Sequence, residues 1–293
     1  MFFIVFFFAS IDAKQIPFDT IVSFGDSNTD TGNVYNLTNH TWPLVPPYYQ
    51  GRFSNGPVWI ENLGVSNLKN YAHGGATTDN NFIQGYTASD TRPVPGARQQ
   101  ISMYFNFTNQ TENNFERILF VIWIGANDYY FNRTLTPSAV TQSILNSVKD
   151  LLRIGVKHLL ILNQAPSRFA SFNERTIFHN KNLSFAINQL NSNHKEISLN
   201  LFDIHSLILN IFANNSLNTQ DYCWLINNGN LTNRCSNPSD YAFIDQYHFS
   251  ARMHRIIGDH IQNYLIHRYT SGLPNFSYSF FYILFALIFL LTH

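Results

Sequence analysis

Short apolar runs recur along the chain, and between them lie longer stretches in which apolar residues return every third or fourth position. The runs at 21–24, 68–71, 118–124, 158–162 and 197–202 draw mostly on Val, Ile, Leu and Phe and show little in–out alternation. That pattern suits strands of a parallel sheet covered on both faces. Helical spacing is found at 58–63, 95–105, 137–154, 175–195 and 251–269, with a shorter stretch at 207–212. Thr136 before Pro137 marks a helix start, with a hydroxyl cap and a proline in the first turn. Strand and helix alternate, so the chain predicts one three-layer α/β/α sandwich around a central parallel sheet of about five strands. No internal repeat and no long linker divides it.

In such a sheet ligands gather beyond the carboxyl ends of the strands. Ser27 follows the first predicted strand, Gly74-Gly75 the second and Asn127 the third, so the three are expected at one edge. Ser27 sits in Phe24-Gly25-Asp26-Ser27-Asn28-Thr29-Asp30, where a buried strand breaks into a loop, and a serine so placed is a candidate nucleophile. Near the other end, Asp245-Gln246-Tyr247-His248 sets a carboxylate three residues before an imidazole. Serine, aspartate and histidine are the parts of a hydroxyl-nucleophile triad. Asp26, adjacent to the serine, is the competing carboxylate and is read as bracing the turn.

Composition narrows the setting. The 293 residues carry 18 basic and 18 acidic side chains, so the formal net charge is zero, which argues against a nucleic-acid-binding surface. Charged residues are 12% of the chain, where about a quarter is usual. Phe2 to Ala9 is almost wholly apolar and Ser10-Ile11-Asp12-Ala13 follows, which resembles a signal peptide over 1–13 without a basic leader. Asn-x-Ser/Thr triplets begin at nine positions, Asn36, Asn39, Asn106, Asn109, Asn132, Asn182, Asn214, Asn230 and Asn275, mostly in predicted loops. Nine such acceptors fit a glycosylated, secreted protein. In that setting Cys223 and Cys235 are expected to pair and close a short loop, and two thiols are too few for a structural zinc site. After Arg268 no charged side chain occurs, and 280–291 is continuously apolar. Small residues, a spacer and an apolar tail over 270–293 resemble a lipid-anchor signal or a short membrane tail, leaving 14–269 as the folded domain.

Four motifs in order carry a family resemblance: Gly25-Asp26-Ser27, Asn70-Tyr71-Ala72-His73-Gly74-Gly75-Ala76, Gly125-Ala126-Asn127-Asp128 and Asp245-Gln246-Tyr247-His248. With Gly51-Arg52-Phe53-Ser54-Asn55-Gly56-Pro57-Val58-Trp59 they resemble the GDSL esterases, or SGNH hydrolases. The similarity is to the branch holding fungal acetylesterases, plant-type GDSL lipases and bacterial acyltransferases. Each motif alone is weak, and their order and their places at strand ends make the resemblance specific. It implies a flavodoxin-like α/β/α fold, Ser27 as nucleophile, His248 as base and Asp245 as its orienting carboxylate. It implies an oxyanion hole from the backbone N–H groups of Ser27 and Gly75 and the amide of Asn127, with no metal and no cofactor.

Trp42, Tyr48, Tyr49, Tyr129 and Tyr130 fall in loops near the expected site, where exposed aromatics stack on sugars or line an acyl groove, although any one alone is more often packing. No long apolar lid lies between the motifs, which favours short acyl groups. The sequence thus points to a secreted or surface-anchored serine esterase acting on short-chain esters such as acetylated carbohydrate. The alternatives are a lipase or phospholipid acyltransferase and, from another class, an inactive glycan-binding surface protein. The intact Ser27, Asn127, Asp245 and His248 argue against the last.

Overall fold

The computed structural model describes residues 15–270 apart from 88–91, 108–114, 169, 215–216 and 228–229. The expected leader, the expected tail after 270 and the acceptors Asn109 and Asn275 lie outside the described residues. Strand β1 (Thr20–Gly25) leads through helix α1 (Asn33–Leu37) and a 3₁₀ turn at Trp59–Leu63 to β2 (Asn67–Asn70). The short antiparallel pair β3 (Gly85–Tyr86) and β4 (Pro93–Val94) precedes α2 (Ala97–Phe107) and β5 (Ile118–Trp123). Next come α3 (Ala126–Phe131), α4 (Pro137–Ile154), β6 (His158–Leu162), α5 (Ala170–Asn193), β7 (Ser198–Phe202) and α6 (Ile204–Ala213). An excursion of small strands, β8 (Asn218–Tyr222), β9 (Trp224–Asn227), β10 (Asn230–Arg234) and β11 (Tyr241–Phe243), leads to the last helix, α7 (Ala251–Thr270).

The main sheet has the order β2-β1-β5-β6-β7, every pair parallel. This is the α/β/α sandwich that the sequence predicts. Successive residues of each inner strand go to opposite layers, and both layers are apolar. Ile21, Leu119, Val121, Leu160 and Leu162 share one core with Trp59 and with Ile208, Ile257, Ile261 and Leu265 of α6 and α7. Val22, Phe24, Phe120, Ile122, Leu159 and Ile161 share the other with Tyr104, Ile144, Val148, Leu183 and Ile187 of α2, α4 and α5. Burial on both sides is why these strands carry no polar stripe. The chain runs from β1 to β2 on one side and then crosses to β5 on the other, so β1 is the switch point at which such sheets open a crevice.

Helix boundaries follow local chemistry. The hydroxyl of Thr136 accepts the N–H of Ala139 at 3.2 Å, and Gly155, at φ +87°, ends α4 in the left-handed region. Helix α6 starts ahead of its periodic stretch because Asp203 accepts the N–H and hydroxyl of Ser206 at 3.1 and 2.6 Å. The stretch at 58–63 is a single 3₁₀ turn rather than an α-helix. Two glycosylation acceptors outside the predicted helices, Asn36 and Asn106, sit on α1 and α2, and Asn182 lies on α5, within the helix predicted at 175–195. Among the described residues no helix is long and apolar enough to cross a membrane.

Candidate active site

The carboxyl ends of β2, β1 and β5 are neighbours, and each feeds one loop into the crevice. After β1 the chain turns sharply: the carbonyl of Asp26 accepts the N–H groups of Thr29 and Asp30 at 3.0 and 2.9 Å, and its carboxylate accepts the N–H of Asn28 at 3.0 Å. Ser27 stands half-buried at the head of this turn. Asp26 therefore braces the turn, as the sequence reading expects.

The histidine arrives from the loop between β11 and α7. Asp245 is 5% exposed, and one of its oxygens accepts the N–H groups of Tyr247 and His248 at 2.7 and 2.8 Å. The three-residue spacing thus folds the loop back on its own carboxylate. Nδ1 of His248 lies 2.9 and 2.8 Å from the two Asp245 oxygens, and Nε2 lies 3.1 Å from Oγ of Ser27. An aspartate takes only a donor, so Nδ1 carries the proton and Nε2 is left to accept from the serine. The Phe53 ring lies beside the imidazole, centroids 5.1 Å apart.

Gly75 has φ +83°, and a Cβ there would fall 2.0 Å from the Tyr86 carbonyl oxygen. Glycine is thus required by backbone conformation and by the close passage of β3. The Gly75 loop is pinned to the serine turn by Asp30, whose carboxylate accepts the N–H groups of Gly32, Asn33 and Gly74 at 2.8, 2.6 and 2.8 Å. Asn127, in the first turn of α3, donates its amide to the Ala76 carbonyl at 2.9 Å. Among the described residues, the N–H groups of Ser27 and Gly75 and the second amide N–H of Asn127 have no partner. Three donors stand uncommitted on adjacent strand ends.

Electrostatics separates the carboxylates. Burial pushes Asp26 up to about 6 against the Asn28 N–H and the nearby His248. Burial likewise pushes Asp128 up to about 7 although the Thr78 hydroxyl and N–H oppose it. Asp245 is just as buried, which would raise it, but His248 and the hydrogen bonds from His248, Tyr48 and the Tyr247 N–H outweigh this and hold it below the usual carboxylate range. It is the carboxylate kept ionised beside the imidazole.

The aromatic expectation needs correction. Tyr48 and Tyr129 are buried, 4% and 2% exposed: the Tyr48 hydroxyl donates to Asp245, and the Tyr129 hydroxyl bonds Nδ1 of His179 at 2.8 Å. Tyr130 is exposed, and it meets Tyr247 edge to face at 6.0 Å. The sequence placed Tyr48 near the site without a role and assigned none to Asp30, Asp128 or Tyr247, although these three lie within the quoted motifs; their roles come from contacts across the fold. Cys223 and Cys235 form a disulfide beneath the Asp245 loop. Among the described residues no group of three His, Cys, Asp or Glu stands close enough to hold a metal ion.

Known proteins bear on this arrangement. A family model described as GDSL-like lipase/acylhydrolase matches residues 21–261. A phosphatidylcholine-sterol acyltransferase of Aeromonas hydrophila is 32% identical over 154 residues, covering 50% of this chain and 44% of that protein, so the chain spans less than half of that relative's length. An acetylajmalan esterase of Rauvolfia serpentina is 25% identical over 333 residues, covering 85% of this chain and 90% of the relative. The crystal structure of a lipolytic G-D-S-L family member from Veillonella parvula superposes with a TM-score of 0.50 at 13% identity, covering 87% of this chain and 99% of that one. That likeness speaks for the fold.

Proposed function

Because the chain belongs to the GDSL-like lipase/acylhydrolase family, whose reaction is ester hydrolysis, we propose that it cleaves carboxylic esters through an acyl-enzyme on Ser27. The observation that carries this reading is the unbroken hydrogen-bond chain from Oγ of Ser27 through His248 to Asp245. As Oγ attacks the ester carbonyl, its proton passes to Nε2 of His248, and Asp245 stabilises the imidazolium through Nδ1. The tetrahedral oxyanion takes the N–H groups of Ser27 and Gly75 and the Asn127 amide, each such donor being worth roughly 3 kcal/mol of barrier. Collapse breaks the bond to the leaving oxygen, which receives the Nε2 proton. Water then attacks the acyl group, gives a proton to His248, and releases the acid as that proton returns to Oγ.

For substrate we propose short-chain esters, with acetylated carbohydrate first. Support comes from the exposed Tyr130–Tyr247 pair beside His248, an aromatic surface that suits a sugar face. A relative named as an acetylajmalan esterase is in keeping with a small acyl group. The similarity to an acyltransferase favours a second reading, in which an alcohol replaces water in the second half-reaction. Passage through a secretory route is supported by the disulfide and by exposed acceptors such as Asn36, Asn39 and Asn214. The test is hydrolysis of 4-nitrophenyl esters from acetate to palmitate by the native chain and by Ser27→Ala. The substitution is expected to abolish turnover with Tm retained, and rates to peak at the shortest acyl groups. Unchanged turnover would remove the nucleophile, and a peak at palmitate would replace the acetyl preference with a lipase.

A further inference from the structure

We propose that Tyr48 is a positioning residue of this site: its phenol fixes the Asp245 carboxylate and thereby sets the basicity of His248, an inference that rests on the Ser27–His248–Asp245 reading. One carboxylate oxygen is supplied by two backbone N–H groups and by Nδ1. The other receives Nδ1 at 2.8 Å and the Tyr48 hydroxyl, from 197 residues away. Both side chains are closed to solvent, so water does not substitute for the phenol. Removing the hydroxyl leaves that oxygen with the imidazole as its one donor.

The phenol is itself held. The Tyr48 ring meets Trp224 edge-on at 5.3 Å and Phe53 at 6.2 Å, and Phe53 in turn lies beside His248. Tyr48, Cys223, Trp224 and Ile244 form a small apolar core of their own. The Trp224 N–H donates to the Ile244 carbonyl at 2.7 Å, and the Cys223 N–H donates to the Phe243 carbonyl at 3.1 Å. The disulfide-closed excursion is thus clamped to the residues immediately before Asp245, with Tyr48 wedged between the excursion and the carboxylate. Burial and the neighbouring Asp245 push the phenol's ionisation upward, so it stays a donor through the working range.

A hydroxyl that donates to a carboxylate draws charge away from that carboxylate's other partner. With the phenol gone, Asp245 offers more charge to Nδ1–H, and protonated His248 is favoured. Asp26 after β1 and His254 on α7 also interact electrostatically with His248, and neither hydrogen-bonds the Tyr48 hydroxyl. Tyr48→Phe keeps the ring and its packing and removes the bond alone.

The experiment is the pH profile of kcat and KM for 4-nitrophenyl acetate from pH 5 to 9, measured on the native chain, Tyr48→Phe and Ser27→Ala, with Tm recorded for each. Tyr48→Phe is expected to lower kcat by about tenfold at little change in KM, and to move the acid limb of kcat/KM upward by about half a pH unit. A space-filling role alone predicts an acid limb that superposes on the native one, whatever happens to Tm, and that outcome overturns the inference. If Ser27→Ala retains native turnover, the underlying triad reading fails instead, whatever the Tyr48 profile shows.

Discussion

Asp128 accepts both the backbone N–H of Thr78, at 3.0 Å, and the Thr78 hydroxyl, at 2.5 Å, and so ties helix α3 to the loop that carries Gly75. The same hydroxyl reaches Ser143 of α4 at 2.6 Å. The carboxyl is fully buried, and burial raises it to about 7. A carboxyl raised by folding gives stability that is complete below its unfolded value near 3.8 and is lost as pH rises through 7. Asp128→Asn keeps an acceptor for Thr78 and removes the titration. Urea unfolding is expected to show the variant more stable than the native chain at pH 9, by on the order of 3 kcal/mol, with the gain shrinking toward pH 5.

His254 shows the opposite sign. It is fully buried on α7, its Nδ1 accepts the Trp59 N–H at 3.3 Å, and burial pushes it down to about 3. A histidine lowered by folding gives stability that is complete above its unfolded value near 6.5 and is lost as pH falls from there. His254→Gln can still accept from Trp59 and does not titrate. Between pH 7 and pH 4.5 it should lose about 2 kcal/mol less than the native chain, read from paired urea titrations.

Gly75→Ala tests the tight passage beneath β3. The left-handed backbone and the 2.0 Å approach of the Tyr86 carbonyl leave no room for a methyl group. Strain of about 1–3 kcal/mol is expected in unfolding, since the loop must shift to admit the side chain. Because that loop presents the uncommitted Gly75 N–H, kcat should drop by at least about tenfold, with KM nearly constant. A variant with native kcat and a lowered Tm would show that the N–H takes no part in the reaction.

The disulfide carries a separate expectation. Cys223 and Cys235 are 12 residues apart, and opening a loop of that size costs about 3 kcal/mol in the chain-entropy account. Cys223→Ser combined with Cys235→Ser should lower Tm, and should lower kcat more than a remote destabilisation of equal size, because the excursion backs the Asp245 loop. Comparing the double variant with one of equal Tm on the far side of the sheet separates the two effects.

The sequence was legible wherever a signal is local. Residues 118–124 and 158–162 read as strands because both faces are covered, and Thr136-Pro137 marks the start of α4 through its own cap. Ser27, Asp245 and His248 could be named because their spacing carries their geometry: one turn after a strand, and a carboxylate three residues before an imidazole. Tyr48 could be placed near the site, but its bond to Asp245 could not be read, since that partner is 197 residues away and its neighbours, Pro46, Pro47 and Tyr49, suggest an exposed loop. Helices α1 and α3 are too short to show a period, and strands β8 to β11 lie in polar sequence whose order comes from the disulfide and from Trp224.

Ser27 and His248 meet although 221 residues separate them, one in the turn that follows β1 and the other just before α7. Each half of the reactive pair is chemically idle alone: an unassisted alcohol on one side, an imidazole with no alcohol to activate on the other. A single backbone cut in any loop between them that let the pieces part would leave two fragments, neither carrying both members of the pair. On the proposed mechanism, turnover therefore counts intact molecules. It would read out, in one colorimetric assay, the fraction of chains in which Ser27 and His248 have been brought together.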